Sequence, residues 1–162
     1  MINFFRKKTA FFSLNRKIYA VKFAKFLKER DWCIVATDET YRILKNNNIV
    51  SIHLNEYVNL KKKFKFPPTL HPELEHSLVD KKKKIDLAYV VPYPISKGFD
   101  IGGHTIISLA IKGQRIVISN NKDLFMYMLN VKKFGKLKKK IFQKLLENSK
   151  KKVIKFYATI FR

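Results

Sequence analysis

The chain has 162 residues, of which 46% are hydrophobic, and it carries a formal net charge of +23. This length is enough for one domain with a hydrophobic core. No apolar run approaches the ~20 residues that a membrane-spanning helix needs, so no membrane partner is expected. The basic residues within the first eight positions follow a short apolar patch, which is not the order of a secretory signal. The single cysteine excludes an internal disulfide, and a cytoplasmic location is expected.

The positive charge comes almost entirely from lysine, since only six of the 35 basic residues are arginine. Arginine is the usual planar reader of phosphate and guanine, so the composition does not indicate selected nucleic-acid binding. The chain is also rich in Phe, Ile and Asn. Their codons, like those of lysine, are rich in A and T, and a biased genome produces the same composition. Nonspecific, salt-sensitive binding to nucleic acid is expected from the charge in either case.

Short apolar runs alternate with helical patterns along the chain. In chain order the patterns predict a strand over 9–14, a helix over 17–30, a strand over 32–36, a helix over 39–45, a strand over 49–52, a proline-rich segment that is mostly loop over 56–75, a strand over 85–91, a helix over 103–111, a strand over 115–119, and helices over 122–129 and 137–161. Strands that alternate with helices form a parallel sheet covered on both faces. The predicted fold class is therefore α/β, with one Rossmann-like three-layer domain, a mostly parallel sheet of about five strands and a C-terminal helical stretch.

Three short blocks carry the chemistry that the sequence indicates: 69–72 (Thr-Leu-His-Pro), 86–94 (Asp-Leu-Ala-Tyr-Val-Val-Pro-Tyr-Pro) and 100–105 (Asp-Ile-Gly-Gly-His-Thr). An acid and two glycines at the start of a helix can bring backbone N–H groups up to an anion or a carbonyl. In this order the blocks resemble the inosine monophosphate cyclohydrolase domain of the bifunctional purine biosynthesis family, which has a methylglyoxal-synthase-like fold. Segment 10–17 resembles the family's opening strand and Ser…Asp-Lys-Thr turn, and 35–40 takes the place of its Ser-Thr-Gly-Gly-Thr loop.

The resemblance implies a single cyclohydrolase-like domain over 1–162, with a core over 9–130 and a helical extension over 131–162. These 162 residues contain no stretch that resembles the family's transformylase domain, so formyl transfer is not expected of them. The implied reaction closes the ring of a formamido-imidazole carboxamide ribonucleotide with loss of water, in de novo purine biosynthesis, and needs neither a metal ion nor another cofactor. A purine-precursor nucleotide is then the expected ligand. Because family members pair through this domain, a homodimer is also an expected assembly.

By the same resemblance, Tyr93, Asp100 and Lys112 fall on catalytic positions. Asp100 and Tyr93 would orient groups and move protons, and Lys112 would neutralise the developing oxyanion. The implied substrate-binding residues are Ser13, Lys17, Thr37 and Thr40 at the phosphate, Thr69 and His71 in the pocket loop, and the backbone N–H groups of Gly102 and Gly103 at a helix N-terminus.

Each of these residues also has a purely structural interpretation. Asp100 before two glycines suits a helix N-cap, and Thr37 and Thr40 suit capping positions as well. Lys112 fits a surface charge, and Tyr93 between two prolines fits a packing aromatic. The remaining histidines have no partner at metal-ligand spacing, so no metal site is expected.

Two departures from the family pattern bear on activity. Phe66 and Pro68 stand where the family has an arginine and a lysine, so two cations are lost, and Lys63 or Lys65 is a candidate replacement. The two glycines of the phosphate loop are 38–39 (Asp-Glu) here. Two carboxylates beside a phosphate repel it, and each adds a Cβ where the backbone should approach.

The leading hypothesis is a divergent, stand-alone cyclohydrolase. A structure in which Lys63 or Lys65 lies beside Asp100 and Lys112 would favour it. The alternative is a catalytically inactive relative of the same fold, reused as a basic structural or RNA-associated protein such as a ribosomal one. An uninterrupted basic face remote from the pocket would favour that alternative. A third hypothesis, another methylglyoxal-synthase-like activity or a ligand-binding regulatory domain, fits the three blocks less well.

Overall fold

The computed structural model describes residues 6–80 and 84–161, and the start of the chain, used above to argue against a secretory signal, lies partly outside them. In the described residues five strands form one sheet in the order β3-β2-β1-β4-β5, and all four pairings are parallel. The strands are β1 (Thr9–Leu14), β2 (Cys33–Ala36), β3 (Ile52–His53), β4 (Leu87–Val91) and β5 (Ile116–Ile118). The predicted α/β class and parallel sheet are therefore confirmed.

Seven α-helices connect and cover these strands in the described part of the chain. They are α1 (Ala20–Lys28), α2 (Asp38–Asn46), α3 (Leu54–Tyr57), α4 (Pro72–Val79), α5 (Ile101–Lys112), α6 (Asn121–Phe134) and α7 (Lys139–Ile160). Among the helices of 6–80 and 84–161, none is both long and apolar enough to cross a membrane.

The sheet separates two hydrophobic clusters because successive side chains of a strand point to opposite faces. On one face Phe12 of β1 stacks on Phe23 of α1, with ring centroids 5.5 Å apart. On the other face Phe11 lies in a cluster with Ile106 and Ile107 of α5. This arrangement produces the three layers that the alternating strands and helices predict.

Helix α7 closes the β5 side of the sheet, where it packs against α5, α6 and β5. Its neighbouring residues Leu145 and Leu146 enter the two different clusters. Asn148 of α7 also donates a hydrogen bond of 2.7 Å to the buried carboxylate of Asp123 in α6. The helix therefore covers a strand edge that would otherwise be exposed.

The prediction of a loop over 56–75 is partly wrong, because α4 begins inside it. Pro72 occupies the first turn of α4, where a missing N–H costs nothing. His71 caps the same helix, since its Nδ1 accepts a hydrogen bond of 3.2 Å from the N–H of Glu73. The predicted strand over 49–52 is also shifted, because β3 consists only of Ile52–His53. The other predicted elements match the observed ones to within a few residues.

The strand order places a switch in connection direction between β1 and β4. From β1 the chain proceeds through β2 to β3 on one side, whereas β4 and β5 lie on the other side. In open parallel sheets ligands bind in the crevice at the carboxyl ends of strands at such a point. The candidate site is therefore expected beyond residues 14 and 91.

Candidate functional site

A cleft with a volume of about 410 Å³ lies at the carboxyl ends of β1, β2 and β4. Five of the residues implied by the family resemblance line it: Ser13, Thr37, Thr69, Tyr93 and Asp100. They come from four separate parts of the chain and meet because parallel strands end at the same edge of a sheet. The structure thus brings together the loops after β1, β2 and β4.

The carboxylate of Asp100 is fixed by two backbone donors. Its Oδ1 accepts a hydrogen bond of 2.7 Å from the N–H of Gly103, and its Oδ2 accepts one of 3.2 Å from the N–H of Tyr93. The hydroxyl of Tyr93 donates to the carbonyl oxygen of Phe99 at 3.1 Å. Asp100 is therefore the N-cap of α5 and also holds the loop that carries Tyr93.

Both glycines at the start of α5 are closely packed against side chains, which would have to shift if a Cβ were added. A Cβ on Gly102 would lie 2.9 Å from Thr69 Oγ1, and a Cβ on Gly103 would lie 2.8 Å from Asp100 Oδ2. The loop of Thr69 thus rests directly on the first turn of α5. The N–H of Gly103, expected to bind a ligand, is already bound by Asp100.

The two carboxylates that replace the family's glycines both line the cleft. Asp38 Oδ1 lies 2.6 Å from Nε2 of His53, and Glu39 Oε2 accepts a hydrogen bond of 2.5 Å from Nζ of Lys17. The hydrogen bond from Lys17 lowers the pKa of the Glu39 carboxyl. Lys17, implied as a phosphate ligand, is thus occupied by Glu39.

Six of the eleven implied residues do not line the cleft, namely Lys17, Gly102 and Gly103, described above, and three that lie elsewhere. Lys112 ends α5, and twelve residues of helical rise place it about 18 Å from Asp100. His71 caps α4 and lines a separate cavity together with Lys63. Thr40 is fully buried, and its Oγ1 has no hydrogen-bond partner among the described residues.

The expected replacement of the lost cations is also not observed. Neither Lys63 nor Lys65 is among the residues that line the cleft, where Pro67 and Pro68 stand instead. Of the described residues that line it, none is a lysine or an arginine. The described residues also contain no group of three histidine, cysteine or acidic side chains arranged to hold a metal ion.

His53 is a residue of this region that the sequence reasoning missed. It pairs in register with Ala36 across β2 and β3, so it lies beside the residues that follow β2. Its Nδ1 accepts a hydrogen bond of 3.2 Å from Asn55 N–H, which leaves Nε2 to face Asp38. Placing β3 next to β2 would have been enough to bring His53 and Asp38 together.

The sequence is similar to those of several known proteins. Bifunctional purine biosynthesis proteins PurH of Clostridium botulinum and Fusobacterium nucleatum are each 31% identical to the chain, over 86% and 72% of its length. The PurH protein of Clostridium perfringens is 30% identical over 78% of the chain. The chain is a divergent relative of the PurH proteins. This confirms the resemblance that the three sequence blocks indicate.

The chain spans about a third of the length of these PurH proteins, namely 34%, 29% and 31%. No protein-family model matches it. Its fold is similar to that in the crystal structure of ForH, with a TM-score of 0.74 over 95% of this chain and 96% of that one. The sequence identity to ForH is 16%, so this likeness concerns the fold alone.

Proposed function

We propose that the chain is a divergent inosine monophosphate cyclohydrolase, which closes the ring of the formamido-imidazole carboxamide ribonucleotide with loss of water. The relation to the PurH proteins supports a role in purine biosynthesis. The observation that carries the proposal is the position of the Asp100 carboxylate, which lines the cleft beside Tyr93 and Thr69. Its two backbone hydrogen bonds hold it in place before any ligand arrives.

In the reaction the carboxamide nitrogen attacks the formyl carbon and a C–N bond forms. The carboxamide nitrogen and the formamido nitrogen each lose one proton, and the formyl oxygen takes up both. The bond between this oxygen and the formyl carbon breaks, and water leaves as the ring becomes aromatic. We assign to Asp100 the transfer of a proton from the carboxamide nitrogen to the formyl oxygen. Each of its carboxylate oxygens accepts one N–H and keeps a lone pair for this transfer, which supports the assignment. Tyr93 keeps the loop over the cleft through its bond to Phe99.

The cleft provides little positive charge for the oxyanion of this reaction. Lys112 lies at the far end of α5, and Lys17 is paired with Glu39. Loss of one oxyanion donor lowers the rate by about 100- to 1,000-fold. We therefore expect turnover well below that of an enzyme whose cleft keeps a free cation.

The test is turnover of the formamido ribonucleotide by the purified protein, followed by ultraviolet absorbance. Asp100→Asn should abolish turnover, whereas Asp31→Asn, at an exposed aspartate paired with Lys7, should retain it. Lys112→Ala tests whether Lys112 neutralises the developing oxyanion, as the resemblance implies. Retained turnover in this variant would exclude that role. Absence of turnover together with absence of inosine monophosphate binding would overturn the proposal and leave the inactive relative as the explanation.

A further inference from the structure

A second cavity of about 400 Å³ adjoins the cleft at the carboxyl ends of β4 and β5. Asn15, Val91 and Tyr93 line both spaces, so these three residues form a shared wall. The far side of the second cavity is formed by the end of β5, the first turn of α6 and one side of α7. The family resemblance assigns no residue to this far side.

The two spaces have opposite charge. Among the described residues, the lining of the second cavity contains Arg16, Lys152 and Lys155 and no acidic side chain. The lining of the cleft contains the carboxylates 38, 39 and 100 and no cation. An anionic group is therefore attracted to the second cavity and repelled from the β2–α2 side of the cleft.

Lys152 is the most enclosed of the three cations. Its Nζ donates a hydrogen bond of 2.5 Å to the carbonyl oxygen of Ser119, and burial lowers the pKa of the ammonium group. Asp123 and Asp100 act on it electrostatically, but among the described residues no carboxylate is close enough to form an ion pair with it. An ammonium with one neutral acceptor has two further protons available to a ligand.

Ser119 adds a buried hydroxyl without a hydrogen-bond partner among the described residues. The residue lines the second cavity and is fully buried, and its Oγ has no hydrogen-bond partner among the described residues. A buried hydroxyl in that state costs free energy that a ligand oxygen would recover. The first turn of the 14-residue helix α6, at Asn121, adds the positive end of a helix dipole.

We propose that the second cavity is an oxyanion site and that it holds the phosphate of the nucleotide, in place of the β2–α2 loop. Asn15, Val91 and Tyr93 line both spaces, and a ligand that extends past these residues would have its reacting ring beside Asp100 and its phosphate beside Lys152. The assignment of the phosphate to a purine-precursor nucleotide rests on the proposed function. Binding of an oxyanion to Lys152, Ser119 and Arg16 does not depend on the proposed function.

The experiment measures binding of inorganic phosphate and of inosine monophosphate by calorimetry at constant ionic strength. Lys152→Met should weaken both affinities at least tenfold, since it removes a charge-assisted hydrogen bond. Arg16→Met, at an exposed side chain whose loss does not threaten folding, should weaken both in the same direction. Lys150→Met is the matched control, because Lys150 is exposed on α7 and outside the lining, and it corrects for nonspecific attraction to the charge.

The outcomes separate the two proposals. Phosphate binding that is unchanged in both Lys152→Met and Arg16→Met overturns the oxyanion site. Nucleotide binding that is lost in Lys17→Met but retained in Lys152→Met overturns the assignment of the nucleotide's phosphate to the second cavity and places that phosphate in the β2–α2 loop. Phosphate binding that depends on Lys152, without nucleotide binding or turnover, supports the oxyanion site and overturns only the proposed cyclohydrolase function.

Discussion

Nζ of Lys17 lies 2.5 Å from Oε2 of Glu39 at the margin of the cleft. Because the hydrogen bond from Lys17 holds the pKa of the Glu39 carboxyl below its ordinary value of 4.5, Glu39 is fully charged at neutral pH. The family resemblance gives Lys17 to the substrate phosphate. In this chain Glu39 neutralises that charge, so the phosphate loop is closed by an internal ion pair.

Glu39→Gln should therefore release Lys17 for an external anion. We expect the variant to bind one phosphate more than the wild type in calorimetry. Its urea midpoint should change little, because exposed ion pairs contribute weakly to stability. Glu29→Gln, which removes an exposed glutamate beside Arg30, should keep the wild-type stoichiometry. An unchanged stoichiometry in Glu39→Gln would show that the ion pair does not block the loop.

Substitutions at Asp100 should separate capping from catalysis. Asp100→Ala removes the N-cap of α5 and should lower the free energy of unfolding by about 1–2 kcal/mol. Asp100→Asn keeps a capping oxygen for the N–H of Gly103 and should be nearly as stable as the wild type. If the proposed function holds, both variants lose turnover. An active Asp100→Asn would assign Asp100 a structural role only.

His104 should make stability depend on pH. Its ring stacks on Phe156, with centroids 3.5 Å apart, and its Nδ1 lies 2.8 Å from the carbonyl oxygen of Asp100, to which it must donate. Burial lowers the pKa of His104 from its ordinary value of 6.5. The unfolded chain therefore binds a proton more readily than the folded one, and stability should be complete above pH 6.5 and fall as the pH drops below it.

This dependence is measured as the urea midpoint between pH 5 and pH 8. His104→Phe keeps an aromatic ring for the stacking and removes the titrating group, so its midpoint should vary less than that of the wild type. His76→Gln changes an exposed histidine of α4 and should follow the wild-type curve. Equal pH dependence in His104→Phe and the wild type would refute the assignment to His104.

Gly113 should be the least replaceable glycine for stability. A Cβ at this position would lie 1.9 Å from the carbonyl oxygen of Leu78, so the turn after α5 must move away from the end of α4. We expect Gly113→Ala to lower the free energy of unfolding by about 3 kcal/mol, at the upper end of overpacking costs. Gly135→Ala meets no atom within 4 Å but has a φ of +70°, and should cost about 1 kcal/mol. Urea unfolding of both variants compares the two costs, and an equal loss would contradict the clash.

Local sequence patterns predict most of the helices and strands, because the periodicity of a helix or strand depends only on residues that are close in sequence. The apolar run of β1 matches its prediction at both ends. The three prolines of 67–72 predict a loop and not the start of α4, because proline disfavours a helix interior, although it is tolerated in a first turn. The separation of Lys112 from Asp100 also follows from the sequence, since the helix predicted between them places their backbones about 18 Å apart.

Residue types and spacing were sufficient for the fold class, the family and the presence of Asp100, Tyr93 and Thr69 in one cleft. The partners of the charged groups depended on tertiary structure, because an ion pair joins residues that are distant in sequence. Lys17 meets Glu39, and Asp38 meets His53, only because β1, β2 and β3 lie side by side. The second cavity likewise exists only because α7 returns to β5 and brings Lys152 to Ser119.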